Sequence, residues 1–178
     1  MKYSIKDTTP LPPLDVLNDL FSYDSETGVL TWKERPVGHF KNNGSFKSWN
    51  TKNSGLEAGS VSQGYKKVRL NGKTFQYHRL CYLISNGCEP EHIDHINGDR
   101  LDNRASNLRS VTCKENSRNR PRNSNNKSGS VGVHRVKGKW RAMIGNKHIG
   151  YFTDKIDAIY ARYWAERDAG YHENHGRV

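Results

Sequence analysis

Apolar positions in this chain come in short bursts separated by polar stretches. Leu14, Val16, Leu17, Leu20 and Phe21 recur at helical spacing, which predicts a helix over 15–21. Val29 to Trp32 reads as a short strand after a turn at 23–28. Residues 35–56 are poor in apolar positions and rich in Gly, Asn, Ser and Lys, the pattern of a long loop. Tyr65–Leu70 and Lys73–Tyr77 are alternating runs around Asn71-Gly72, the strongest short hairpin signal. His78 to Asn86 then reads as a helix with Leu80, Cys81, Leu83 and Ile84 apolar, and Gly87 as its stop. Short strands are predicted at 93–96 and 108–112 around a polar loop, and a helix from Lys114. Residues 117–130 read as a linker. Three strands (131–137, 139–145 and 147–152) and a helix over 154–169, with Thr153 as N-cap, close the pattern.

The expected class is therefore α+β. The expected organisation is an N-terminal accessory segment at 1–57, a core at 58–120, a linker at 121–130 and a sheet-plus-helix unit at 131–172. In that last unit, Val133, Trp140, Ala142, Ile144 and Phe152 are expected to pack on the helix. Only 33% of the 178 residues are hydrophobic, which suits small cores joined by polar connections. No apolar run approaches the ~20 residues of a membrane span, and Met1 to Leu14 lacks a signal-peptide core, so an intracellular protein is expected. Three cysteines without a C-x-x-C pair argue against a disulfide framework or a structural zinc, and favour buried free thiols.

Charge changes the picture. The net charge of +11 points to nucleic acid first and an anionic membrane surface second. The exception is local. Glu89, Glu91, Asp94, Asp99 and Asp102 fall within 14 residues, while 58–88 and 116–153 contain no acid. An acidic, His- and Asn-rich island in basic surroundings suits a hard cation held beside phosphate. That combination suggests metal-assisted cutting of nucleic acid. Lys41, Lys47 and Lys52 with Phe40, Phe46 and Trp49 suit loose backbone contact, or else a merely solvated loop.

His78-Arg79-Leu80, IDHINGD at 93–99, DNRASNLRSVT at 102–112 and Glu115-Asn116 resemble the HNH endonuclease family, in the branch of phage and intron-encoded homing enzymes. The resemblance implies a ββα-metal (His-Me finger) fold with one divalent ion, Mg²⁺ or Mn²⁺. It implies Asp94 and Asn116 as metal ligands, His95 as general base and Asn107 as a brace for the loop. Double-stranded DNA is the implied substrate. A monomer would nick, and a dimer or two events would be needed to cut both strands. Bacterial cytoplasm is the implied location if a phage encodes it. Lys66, Arg69, Arg79, Arg118, Arg120 and Arg122 are candidate phosphate contacts.

SGSVGVHRVKGKWRAMI at 128–144 and IGYFTDKIDAIYA at 149–161 resemble the Apetala-type DNA-binding domain of plant ethylene-response factors. That family lays its sheet in the major groove. The implied reading face is His134, Arg141, Met143, Asn146 and His148, flanked by Arg135, Lys137, Lys139 and Lys147. Arg162 stands where the family usually has an aromatic residue. The competing readings are a non-cleaving, sequence-specific DNA-binding protein and an RNA-binding basic protein.

Overall fold

A computed structural model describes residues 10–112, 115, 122–171 and 175–176. The chain divides into two compact units, Met1–Val111 and Thr112–Val178. Both mix helices with small antiparallel sheets.

In the first unit, α1 (Leu14–Leu20) buries Leu17 and Leu20 and gives way to β1 (Phe21–Asp24). β1 pairs with β2 (Val29–Trp32) in a hairpin. Its turn is built by the Asp24 carboxylate, which accepts from the Glu26 amide at 2.9 Å and the Thr27 hydroxyl at 2.8 Å. Residues 35–56 are not a loop. A 3₁₀ turn at Val37–His39 leads into α2 (Asn43–Asn53), capped by the Asn42 side chain on the Ser45 amide at 2.8 Å.

β3 (Ser60–Ser62), β4 (Tyr65–Leu70) and β5 (Lys73–Gln76) form a three-stranded sheet. Asn71 (φ 47°) and Gly72 (φ 79°) are both left-handed, the geometry a two-residue hairpin turn demands. α3 (Tyr77–Asn86) ends on Gly87 and packs on α1, β4 and β5. β6 (His92–His95) and β7 (Leu108–Val111) make the last hairpin.

One core joins these elements. Leu17, Phe21 and Leu30 from the N-terminal segment lie in the same cluster as Val68, Tyr77, Leu80, Cys81 and Leu108. The Leu30 amide donates to the buried Tyr77 hydroxyl. The segment before residue 58 is thus part of the packing that supports the later residues. Cys81 is a buried free thiol, its pKa pushed up by burial, whereas Cys88 is exposed and Cys113 lies outside the described residues.

In the second unit, β8 (Val133–Val136), β9 (Lys139–Ile144) and β10 (Lys147–Phe152) form a sheet in the order β10-β9-β8, backed by α4 (Lys155–Asp168). Asp154, not Thr153, caps the helix, accepting from the Ile156 amide at 2.6 Å. Val133, Ala142 and Ala158 are fully buried, with Trp140, Ile149, Phe152 and Ile159 around them. Ile149 joins this cluster and Ile144 does not; the register shift between His148 and Gly150 sets Phe152 opposite Trp140. Arg162 is buried too. Its Nε donates to Glu166 at 2.7 Å and its Nη1 to the Met143 carbonyl, and its guanidinium lies 5.5 Å from the Tyr171 ring centre. Residues 122–130 are bonded across the segment. Arg122 donates to the Gly129 carbonyl at 2.5 Å, and Asn126 accepts from the Gly129 amide and donates to the Ser130 carbonyl, each at 2.8 Å.

Leu17→Ala should lower the stability of the first unit by about 2–5 kcal/mol in chemical denaturation. A chain beginning at residue 58 should lose its cooperative unfolding transition. A truncated chain that unfolds like the parent would show the two segments to be independent.

Candidate active site

The acidic island folds onto the β6–β7 hairpin and its connecting loop. Asp94 and His95 are adjacent on β6 and both are buried, at 7% and 6% exposure. Successive strand positions face opposite sides, so the two side chains meet different surroundings. Asp94 pairs across the ladder with Arg109. Arg109 donates to its Oδ2 from Nε at 3.0 Å and from Nη2 at 2.7 Å. A buried carboxylate needs such compensation.

His95 sits opposite Leu108 at the strand end. Its Nε2 is 3.5 Å from the Asn103 Oδ1, and its ring stands edge-on to His78 at 5.2 Å. An oxygen acceptor opposite Nε2 favours the tautomer protonated there, leaving Nδ1 with the lone pair. Burial pushes the pKa of His95 down; Asn103 and the nearby carboxylates of Asp94, Asp99 and Asp102 oppose this only partly. Burial, then the proximity of His95 and Arg79, push His78 down to about 3. Both imidazoles are therefore neutral near pH 7.

The loop between the strands is tied from inside. Asn107 accepts from the Asn97 amide at 2.9 Å through Oδ1 and donates to the Asp102 carbonyl at 2.8 Å through Nδ2. The Ile96 amide donates to the Asn107 carbonyl at 2.9 Å, extending the ladder past His95. Asp102 takes a bidentate pair from Arg104, at 2.8 Å from Nε and 2.6 Å from Nη2, and a bond from the Asn97 side chain at 2.7 Å. Arg104, through hydrogen bonding and charge, holds the Asp102 carboxyl at about 2.

The loop is also tied from outside, by the N-terminal hairpin. The Tyr23 hydroxyl donates to the Asn103 carbonyl at 2.7 Å, and the Ala105 amide to the Ser25 carbonyl at 3.0 Å. Gly28 (φ 74°) lies so close that a Cβ there would stand 2.5 Å from the Arg104 nitrogen. Asn103 and Arg109 are the two site residues that sequence reasoning missed. Asn103 reads as one more turn-former in Asp102-Asn103-Arg104. Arg109 becomes visible once Asp94 is known to pair across the ladder.

The donor set fits a hard cation sparingly. Among the described residues no group of three or more His, Cys, Asp or Glu is gathered for a metal. Asp94, paired with Arg109, is the carboxylate that the resemblance assigns to such an ion. Mg²⁺ takes one or two protein carboxylates and fills its shell with water and phosphate oxygens, so one such residue suffices. Asn116 lies outside the described residues. Immediately before it, the Thr112 hydroxyl and amide both donate to Glu115 at 2.8 Å, and the Glu115 amide donates back to the Thr112 hydroxyl at 3.3 Å.

The basic candidates divide. Lys66 is committed to Glu57 and lies 4.6 Å from the Tyr77 ring centre. Arg79 is committed to Glu89 and donates to the Pro90 carbonyl at 3.2 Å. Each thus stands beside an acid of its own unit in this arrangement. Arg69 is exposed. Arg122 closes the turn at Gly129; Arg118 and Arg120 lie outside the described residues. In the second unit, His134, Arg141 and Tyr151 align across the three strands, with Met143 and His148 paired beside them. Arg135 pairs with Trp140 on the helix-facing side, and Lys137 and Asn146 occupy the turns at opposite ends of β9.

Residues 75–118 match the family model described as HNH endonuclease. The matched residues contain α3, the β6–β7 hairpin and the braced loop. A protein described as an uncharacterized HNH endonuclease, from Acanthamoeba polyphaga mimivirus, is 38% identical over 99 residues. That alignment takes in 48% of this chain and 24% of the viral protein, so the chain spans about a quarter of that relative's length. No solved structure matches. Among the described residues no helix is long and apolar enough to cross a membrane.

Asn107→Ala removes both side-chain bonds of Asn107 to the loop backbone. It should cost about 1–3 kcal/mol and raise amide exchange at Asn97; unchanged exchange would show that the loop is held otherwise. His78 protonates near 6.5 in the unfolded chain but near 3 in the fold. Its contribution to stability is complete above pH 6.5 and declines as the pH falls from there toward 3. Stability should fall by about 2 kcal/mol between pH 6.5 and 5. His78→Gln should flatten that part of the curve, measured by urea melts at fixed pH.

Proposed function

We propose that this protein is a metal-dependent DNA endonuclease whose HNH segment hydrolyses one phosphodiester at a time. The observation that carries the reading is the buried, neutral His95 beside the buried carboxylate of Asp94, on a hairpin whose loop is braced by Asn107. His95 acts as general base: Nδ1 takes a proton from water while Asn103 orients the ring through Nε2. Asp94 and Asn116 would hold a single Mg²⁺ or Mn²⁺, with Asn107 positioning the loop. When bound, that ion supplies Lewis-acid stabilisation of charge on the phosphate and on the leaving oxygen. The homing-type character and the strand preference of a nickase belong to the same proposal.

Double-stranded DNA is the proposed partner of the C-terminal sheet as well. The cross-strand row of His134, Arg141 and Tyr151, with His148 beside it, supports a groove-facing surface. The outline of three strands and one helix supports the Apetala-type resemblance. Lys137, Asn146 and Arg135 would add edge contacts.

A supercoiled-plasmid assay with Mg²⁺ or Mn²⁺ tests the reading. The parent should give nicked circles that chelator abolishes, and His95→Ala should cut at least 100-fold more slowly. DNA that shifts in a gel yet stays uncut with both ions would replace this reading with that of a non-cleaving DNA-binding protein.

A further inference from the structure

We infer that the outer face of α2 is a separate DNA-contacting surface, placed on the phosphate backbone a short, fixed distance from the active site. The inference rests on the nuclease reading above and adds a surface to it. From Arg35 to Leu56 the chain contains no Asp or Glu, but it has Arg35, Lys41, Lys47 and Lys52. The helix sorts these residues cleanly. Phe46, Trp49, Asn50 and Asn53, at i, i+3, i+4 and i+7, are half-buried. Gly44, Ser45, Lys47, Ser48, Thr51 and Lys52 are exposed.

α2 contributes no residue to the buried core. It is held instead by an aromatic cage. Trp49 stands edge-on to Trp32 at 5.2 Å, and the Arg35 guanidinium lies 4.8 Å from the Trp49 ring centre and 5.1 Å from that of Phe40. The Asn50 side chain clamps the Arg35 backbone at both ends, at 3.0 and 2.9 Å. The inner face is thus fully used. Among the described residues, Lys41, Lys47 and Lys52 enter no ion pair. Small side chains between the lysines let a sugar-phosphate backbone approach closely and offer it hydroxyl donors. The charge continues beside Trp32, in an open groove lined by Ser60, Ser62, Lys67, Arg69 and Thr74.

The β1–β2 hairpin sets the spacing. Its turn abuts the loop at Asn103–Ala105, and its open end pairs Phe21 with Trp32, the residue against which Trp49 packs. Four residues of strand span about 13 Å, or about four base pairs at 3.4 Å of rise each. α2 therefore reaches duplex flanking the cut rather than the cut itself.

The test is Lys41→Gln/Lys47→Gln/Lys52→Gln in the full chain, binding a fluorescent 30-base-pair duplex in chelator across a salt series. The slope of log affinity against log salt should become shallower by about 2 to 3 units, with an unchanged circular dichroism melt. The corresponding triple Arg variant should keep the parent slope. An unchanged slope in the folded Gln variant overturns the inference. So does a Gln variant that loses binding to phosphatidylserine vesicles while keeping its DNA slope, since the face would then serve a membrane. The two readings fail separately. A parent that nicks plasmid while the Gln variant binds with the parent slope refutes the α2 surface alone. A parent that neither binds nor nicks refutes both.

Discussion

A carboxylate placed out of water must be compensated, and the arrangement of the first unit follows from how Asp94 is compensated. Arg109 reaches it from the facing strand, and this requires β6 and β7 to pair in one register. A slip of one residue would carry Asp94 to the other side of the ladder and leave its charge unpartnered. The same register sets His95 opposite Leu108, at the point where the strand ends and the loop begins. A charge requirement therefore fixes where an uncharged imidazole is presented.

The loop adds rigidity from two sides. Asn107 spends both ends of its amide on loop backbone, at Asn97 and Asp102, so the segment closes on itself. The N-terminal hairpin then presses on it through Tyr23, Ser25 and Gly28. No close packing survives a side chain at Gly28, and the left-handed backbone there already favours glycine. The loop is held against the same body that contains Leu17 and Leu30, so bonds around His95 depend on packing well outside residues 75–118.

Local signals were legible in the sequence where chemistry dictates geometry. Asn71-Gly72 needs two left-handed residues and has them. The Gly138 and Gly145-Asn146 breaks mark off three strands, and Asp94-His95 stands out by residue type. What escaped depends on distant partners. α2 is built of poor helix formers and is ordered by Trp32, eleven positions before its first residue, so its own composition reads as loop. Phe21 continues the spacing of α1 but turns into a strand because Trp32 pairs with it. Lys66 and Arg79 look like free cations until Glu57 and Glu89 are brought beside them. Arg162 is foreign to the aromatic pattern of its resemblance, yet it is the residue that ties α4 to the end of β9.

The Tyr23 bond to Asn103 closes 80 positions of chain, and the Leu30 bond to Tyr77 closes 47. Such closures are entropically expensive to initiate and slow the search for the native state. The hairpin is synthesised before its loop partner at Asn103–Ala105 and must wait for it. A growing chain thus displays its lysine-bearing helix well before the segment around His95 can be locked in place. Assembly of the surroundings of His95 is a late event in folding, set by the order in which the chain is made.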